Sequence, residues 1–426
     1  MLALVVIFLL FNIAIFFVDD NKRYVSFVSI FCVLSCVLYY ILFYFSLSQE
    51  LINFDNYTSI CFFILIAFMN FFVKIGASYP FSKKNSSYGV FLLNEKDDFL
   101  LYRLAWLLLG ISFISVYLFT KCYGGFSNYV EYEALALRAG VSLVHNPWSF
   151  LQPFCRFSTI SFLIFLAILL KRTVSLNKKI VFIGISLAAY ACWLSFVGDK
   201  ARLALVCFVL VFVFSILDVK IHSESKRLAV KISLIVVATM LAQVVSEFLG
   251  RGAQEGNNKT LARGVLFVFS NFDYWFNNLT FDKLRFFVDY IISPLYLLPS
   301  KVLVLLDIHY ASSVNTYYQL GAFKGTQSVT GELPLDFLTC AYAQLGAFGL
   351  AVVSFVWGKI LATLDSVVEA VNDVAYKKVL FNYIAIELVF RSILNGDPKS
   401  IVMRVFPAVF FVFLFYLGRF FRGRGR

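Results

Sequence analysis

The chain has 426 residues, 61% of them hydrophobic, with a mean hydropathy of +0.82 and only 15% charged residues, against roughly 25% in ordinary soluble domains. So much apolar surface excludes a water-soluble fold. The net charge of +12 lies mostly in short loops and in the C-terminal RFFRGRGR, which excludes a nucleic-acid-binding face and fits segments that orient spans and meet anionic lipid.

Lipid permits only helices or closed barrels, because every backbone polar group must find an internal partner. Continuous apolar runs of about 17–25 residues select helices. In chain order they predict eleven spans, over residues 2–18, 25–47, 57–76, 99–119, 154–170, 180–197, 201–217, 228–249, 335–362, 379–394 and 400–418. The first lacks a basic flank and an A-x-A site and is read as a retained span. The span at 379–394 is short, which points to tilt, extension or partial re-entry. Lys and Arg concentrate in loops 19–24, 77–98, 171–179, 218–227 and 363–378 and at the C-terminus. Those loops alternate with 48–56, 120–153, 198–200, 250–334 and 395–399. The positive-inside rule then puts the N-terminus outside and the C-terminus in the cytoplasm.

The expected fold is all-α, a polytopic membrane helix bundle forming one integral membrane domain over residues 1–426. It carries two long external loops, 120–153 and 250–334. Inside the larger loop, 261–280 and 284–306 read as interfacial or re-entrant helices lying against the bundle, the second interrupted by Pro294 and Pro299. The eight cysteines mostly lie inside apolar runs as small apolar side chains. Cys122 and Cys155 flank one external loop, and a disulfide between them stays open.

Several external charges break the expected pattern. Residues 196–206, FVGDKARLALV, place Asp199, Lys200 and Arg202 at a hairpin tip between two apolar runs. Arg251 follows a span, Arg391 sits near the outer end of another, Arg404 lies a turn into the next, and Arg138 is in the first long loop. A cation at membrane depth costs about 2.5–3.5 kcal/mol. Local pairing offsets that cost for any single residue: Asp199 with Lys200 or Arg202, Asp397 with Lys399 or Arg404, Glu255 with Arg251. As a set, these cations share one depth on one side, which suits an anionic head group held between helices.

Glu332 and Asp336 lie in VTGELPLDFL at the mouth of the ninth span. Either is a candidate general base or a helix N-terminal carboxylate favoured by the dipole. His309 and His145 lie in external loops as candidate catalytic or surface histidines, and His222 is cytoplasmic. The aromatics of the external loops, among them Tyr274, Trp275, Tyr310, Tyr317 and Tyr318, suit sugar stacking beside Asn271, Asn277, Asn278 and Gln319, or an interfacial aromatic belt. No P-loop, HExxH, nucleophile elbow or DxD pair stands in these loops, so the sequence offers nothing for an ATPase, a metalloprotease or a metal-dependent transferase.

Four segments occur in order over most of residues 100–418: YGGFSNYVEYEALALRAG, VGDKARLAL, the long NTYYQLGAFKGTQSVTGELPLDFLTCAYAQLGAFGLAVVSFVWG, and NGDPKSIVMR. Together they resemble the bacterial oligosaccharide repeat-unit polymerases, the Wzy-type family of O-antigen and enterobacterial common antigen polymerases. The resemblance implies a GT-C-like membrane glycosyltransferase at the periplasmic face of the bacterial inner membrane. Such an enzyme moves a growing glycan from undecaprenyl pyrophosphate onto the non-reducing end of a new lipid-linked repeat unit. It implies no metal or other cofactor and no nucleotide sugar. The implied partners are the undecaprenyl-pyrophosphate-linked oligosaccharide, membrane lipid and a chain-length regulator. Arg138 would be the basic residue after the Gly-Gly loop, while Lys200 and Arg202 share a family arginine position offset by one residue. With Arg251, Arg391 and Arg404 these would bind pyrophosphate. Glu332, or else His309, would orient or deprotonate the acceptor hydroxyl, and Asp199 and Asp397 would position arginines. A ligase of the same general fold and a flippase for lipid-linked sugar are the competing readings.

Overall fold

Small polar side chains start helices where the chain turns from polar to apolar. Ser26 caps Phe27–Cys36, Asp55 caps Asn56–Ala77, Asp336 caps Phe337–Glu369 and Asp373 caps Val374–Tyr383, each accepting from a backbone N–H two or three residues on. The computed structural model describes residues 26–41, 43, 54–80, 95–129, 146–171, 176–195, 199–220, 257–298, 300–324, 326–327, 329 and 332–424. On its sixth and seventh long helices the side chains are described only from Cys207 and Phe267 onward.

Among the described residues every named element is helical. We label α1 Phe27–Cys36, α2 Asn56–Ala77, α3 Glu95–Lys121, α4 Phe157–Leu170, α5 Lys178–Ser195, α6 Asp199–Lys220, α7 Asn257–Asn278, α8 Ala311–Leu320, α9 Phe337–Glu369, α10 Val374–Tyr383 and α11 Pro398–Arg424. From Val374 the chain stays helical to Leu394, through a π-helical stretch Ile384–Phe390 and a last turn Arg391–Leu394. We call this continuous piece the rod. The short predicted span at 379–394 is therefore one part of a longer helix. The expected 284–306 helix is instead three short turns, Val288–Ile291, Ser293–Leu297 and Ser300–Leu305. The predicted spans 2–18 and 228–249 lie outside the described residues.

Among the described residues six helices are long and apolar enough to cross a membrane, within α2, α3, Ser149–Leu170, α5, α9 and α11, and Phe27–Tyr40 and Cys207–Asp218 are shorter apolar helices. Their outward faces carry large apolar side chains, such as Phe182, Ile183, Tyr190 and Trp193 on α5 and Val409, Phe413, Phe420 and Phe421 on α11. Water tolerates no such continuous exposed surface, whereas lipid does, and the protein is a membrane-embedded helical bundle. By contrast α4 is buried along nearly its whole length, as expected for a helix apolar all round at the centre of a bundle.

Among the described residues two large cores share this bundle, beside a small cluster of Trp275, Ala311, Leu335, Cys340 and Ala343. One unites α1, α2, α7 and α9; the other unites α3, α4, α5, α6 and α11. The rod supplies Ile384, Val389 and Ile393 to the first and Val379 and Ile386 to the second, so it forms the seam between them. In the first core α2 and α9 touch backbone to backbone: a Cβ on Gly76 would stand 1.9 Å from the Phe355 carbonyl oxygen, and one on Gly358 1.9 Å from that of Val73. Small residues allow such contacts between apolar helices. Cys122 and Cys155 are both free thiols, so the open disulfide does not form.

One end of the bundle, here the clamp end, is tied by ion pairs. Lys171 lies 2.6 Å from Asp98 and 3.1 Å from Asp373, and Arg419 bonds Asp97 through Nε and Nη2. These contacts join the ends of α3, α4, the rod and α11. Lys171→Met would leave two mostly buried carboxylates facing each other, and the expected loss is about 3 kcal/mol of stability. Thermal unfolding in detergent checks this. Adding Asp98→Asn to Lys171→Met recovers part of the loss if the ion pair is the cause.

Candidate functional site

The opposite end carries the described residues between 281 and 336 and is here called the loop end. It holds a cluster of cations that the linear sequence scatters. Arg391 and Glu387 sit one turn apart in the rod and form an ion pair of 2.5 Å. A π-helical stretch widens the turn around Glu387, a distortion frequently found at functional sites. Arg404, on α11, is 6% exposed. Its side chain leans toward the helix N-terminus, as helical side chains do. It donates to the carbonyl oxygens of Ser400 (2.8 Å), Glu387 (3.3 Å) and Asn395 (2.8 Å).

Arg156 completes the cluster. It occupies the bend between the short turn Gln152–Cys155 and α4. Arg391 and Glu387 act on it electrostatically, and Arg404 feels Arg391, Glu387 and Arg156. Cys207 of α6 feels Glu387, Arg391 and Arg404, which brings that helix to the same level. Helix rise puts Arg156, Arg391 and Arg404 about 20–25 Å from the clamp end of their helices. In a hydrocarbon layer of about 30 Å that is just inside the boundary on the loop side. The helices α4 and α11 also point their N-termini this way, which adds partial positive charge. Among the described side chains, three guanidiniums against one carboxylate leave an excess of two positive charges in a largely buried space.

The expected pyrophosphate ligands divide accordingly. Arg391 and Arg404 are brought together. Asp199, Lys200 and Arg202 begin α6, on the turns before Cys207, and their side chains lie outside the described residues, as do Arg138 and Arg251 altogether. Asp397 does not position Arg404. Its carboxylate accepts the backbone N–H of Ser312 (2.9 Å) and of Lys399 (2.9 Å), joining α8 to the start of α11. Burial raises its pKa, opposed by those hydrogen bonds. Gly396 of the same NGDPKS motif is also structural. Gly396 donates to the Leu335 carbonyl at 2.9 Å, and a Cβ there would meet the Phe337 Cα at 2.4 Å.

Glu332 stands at a second position at the loop end. It accepts a hydrogen bond from the Tyr310 hydroxyl, and the Lys399 ammonium lies 3.3 Å above the Tyr310 ring centre. Burial first, and then the Glu332 carboxylate, push the Tyr310 hydroxyl well above its usual pKa, which keeps it a donor. Lys399 and Arg404 share α11, about 7.5 Å apart along its axis and roughly 140° apart around it, so the Tyr310–Glu332 pair and the cation cluster lie at neighbouring levels of that helix but on different faces. The backbone following Glu332 is fixed on both sides. Leu333 donates to Thr316 and its carbonyl accepts from Asn315, while the Pro334 carbonyl accepts from Asn271 at 2.6 Å. Asn271 and Gln319, expected to meet sugar hydroxyls, bond instead to each other and to Asn315, which also takes the Trp275 indole N–H. They hold the Glu332 segment against α7 and α8.

His309 is adjacent in sequence but turned elsewhere. Its ring stacks on Phe323 at 4.4 Å and pairs with exposed Asp307 at 3.1 Å. Its carbonyl accepts from Arg285, which is also bidentate to buried Asp289. Asp336 caps α9 and accepts from Tyr39, which bears out the helix-cap alternative for that residue.

Arg156 and Glu387 were not among the residues singled out from sequence. A usable signal existed for each: a lone arginine at the outer end of an apolar run in PFCRFS, and an acid four residues before Arg391 inside another. A cavity of about 590 Å³ lies apart from the cluster, between α3, Leu194 and the Gly124–Gly125 turn, with Phe113, Tyr117 and Phe126 among its walls. Compared with known proteins, this chain matches no family model, no curated protein and no solved structure.

Proposed function

We propose that the protein is a metal-independent membrane glycosyltransferase that polymerises lipid-linked oligosaccharide repeat units. In this reading the bundle has eleven spans in a GT-C-like arrangement, and its loop end faces the periplasm from a bacterial inner membrane. Undecaprenyl pyrophosphate places its two phosphates among Arg156, Arg391 and Arg404. Lys200, Arg202 and Arg251 are further candidates on the same side. The observation that carries the reading is the convergence of three arginines from three helical segments, Arg156 more than two hundred residues before the other two, around one carboxylate near the loop-side boundary.

The chemistry follows from that placement. The anomeric C–O bond to the diphosphate breaks as the acceptor hydroxyl oxygen bonds the same carbon. The hydroxyl proton passes to Glu332, with Tyr310 donating to that carboxylate and orienting it. The diphosphate departs with additional negative charge, which preorganised guanidiniums in a partly dry site stabilise in the transition state. The apolar cavity beside α3 fits part of a polyprenyl tail, and a chain-length regulator is a candidate partner.

Deleting the gene and restoring it tests the reading. Loss is expected to leave single repeat units on the cell surface, and the wild-type gene to restore a polymer ladder. Absence of any surface glycan would instead indicate a ligase, and substrate accumulating inside the cell a flippase. Glu332→Gln is expected to lower the polymerisation rate by about 10²–10⁴-fold with normal membrane insertion. A full-length ladder from Glu332→Gln removes it as the base.

A further inference from the structure

Glu387 is a negative charge in the middle of a site that, on the reading above, binds a negative ligand. Helix periodicity alone does not account for it, since a glutamine would fit the same turn. Glu387 is 7% exposed, and only half of its carboxylate is used. Oε2 takes Arg391 Nη1, whereas buried Oε1 has no hydrogen-bond partner among the described residues. The Arg156 guanidinium is in electrostatic range of this carboxylate and has no hydrogen-bond or ion-pair partner among the described residues. A half-satisfied acceptor and an unsatisfied donor thus share one partly dry space. Buried polar groups are ordinarily paired, and a tetrahedral anion would supply Arg156 and Arg391 with the oxygen acceptors they lack.

We propose that Glu387 is a resident counter-ion that holds Arg391 while the site is empty and yields it to the incoming diphosphate, re-forming the pair as the product leaves. The proposal rests on the cluster being the diphosphate site. Charge counting supports it. A diphosphate esterified at both ends has one ionised oxygen on each phosphate, which matches the excess of two positive charges that remains, among the described side chains, with Glu387 present. After glycosyl transfer the departing lipid diphosphate carries more negative charge, and the Glu387 carboxylate repels it. Without Glu387 three cations would hold the product more tightly. The residue therefore trades binding strength for release, acting on Arg391 and not on the reacting atoms, which makes it a positioning residue.

The test uses the full-length protein in lipid nanodiscs and inorganic pyrophosphate as the probe, with affinity read by calorimetry. Glu387→Gln keeps the shape and removes the charge, and its pyrophosphate Kd is expected to fall about tenfold or more. Glu387→Ala serves in its place if the amide disturbs folding. A general structural defect weakens binding, so tightening distinguishes a counter-ion from a scaffold residue. In turnover, Glu387→Gln is expected to show a lowered kcat with a lowered KM. Arg156→Ala and Arg404→Ala, measured alongside, separate the two ideas. If they weaken pyrophosphate binding while Glu387→Gln binds as the wild type does or more weakly, the counter-ion role is overturned and the anion site stands. If the wild type and every variant fail to bind pyrophosphate, both are overturned.

Discussion

Arg404→Ala is expected to reduce polymerisation by about 10²–10³-fold, the usual cost of removing one preorganised donor from a site where negative charge develops. The size of the effect follows from where the side chain sits. Arg404 is almost fully buried, and its guanidinium is already fixed by the carbonyls of Ser400, Glu387 and Asn395. No reorganisation is needed to present its charge to a leaving diphosphate. Arg404→Lys keeps the charge but loses the planar fork that spans three carbonyls, and an intermediate rate is expected. Both variants also release the Asn395 carbonyl and loosen the turn before α11, so rates are to be normalised to folded protein measured by thermal unfolding. Wild-type initial rates from folded Arg404→Ala, with purified lipid-linked repeat units as substrate, would refute the assignment.

The second large effect lies far from the chemistry. Gly358→Leu should cost about 3 kcal/mol or more and prevent the protein from accumulating in the membrane. A Cβ at Gly358 would overlap the Val73 carbonyl at 1.9 Å, and backbone cannot yield as a side-chain tip can. The reciprocal contact of Gly76 with the Phe355 carbonyl means that the two helices must part at both glycines together, opening the first core between α2 and α9. Gly110, on the exposed face of α3, has open space around it, with nothing within 4 Å of where a Cβ would stand. Gly110→Ala is therefore expected to be neutral or to stabilise by about 0.4–1 kcal/mol. Membrane abundance and melting temperature of the two variants, compared side by side, decide it. Equal abundance of Gly358→Leu and wild type would show that the close crossing is not needed.

The site was legible in sequence only in part, and the reasons are specific. Arg391 and Arg404 stand out because a charge inside an apolar run breaks a one-dimensional pattern. Asp397 and the neighbouring glycine also stand out, but for a reason the motif conceals: both serve backbone contacts, with Ser312, Lys399 and Leu335, at separations no local pattern encodes. Asn271 and Gln319 look like ligands for sugar hydroxyls until their partners are known, because a polar side chain that binds a substrate and one that binds Asn315 have the same sequence signature.

Hydropathy along the chain was sufficient for the helical, membrane-embedded class and for most helix positions, since lipid forces each segment to satisfy its own backbone and so makes the signal local. The caps at Asp55, Asp336 and Asp373 are local too, each bonding a backbone N–H two or three residues on, although of the three only Asp336 reads as a helix-end carboxylate from sequence. The meeting of Arg156, Glu387, Arg391 and Arg404 was not local. It depends on the rod lying in the seam between two cores, on a π-helical turn that widens around Glu387, and on a bend before α4 that sets Arg156 at the level of the other two. Those features arise from packing between helices more than two hundred residues apart in the chain, where side-chain shape and not hydrophobicity decides which faces meet.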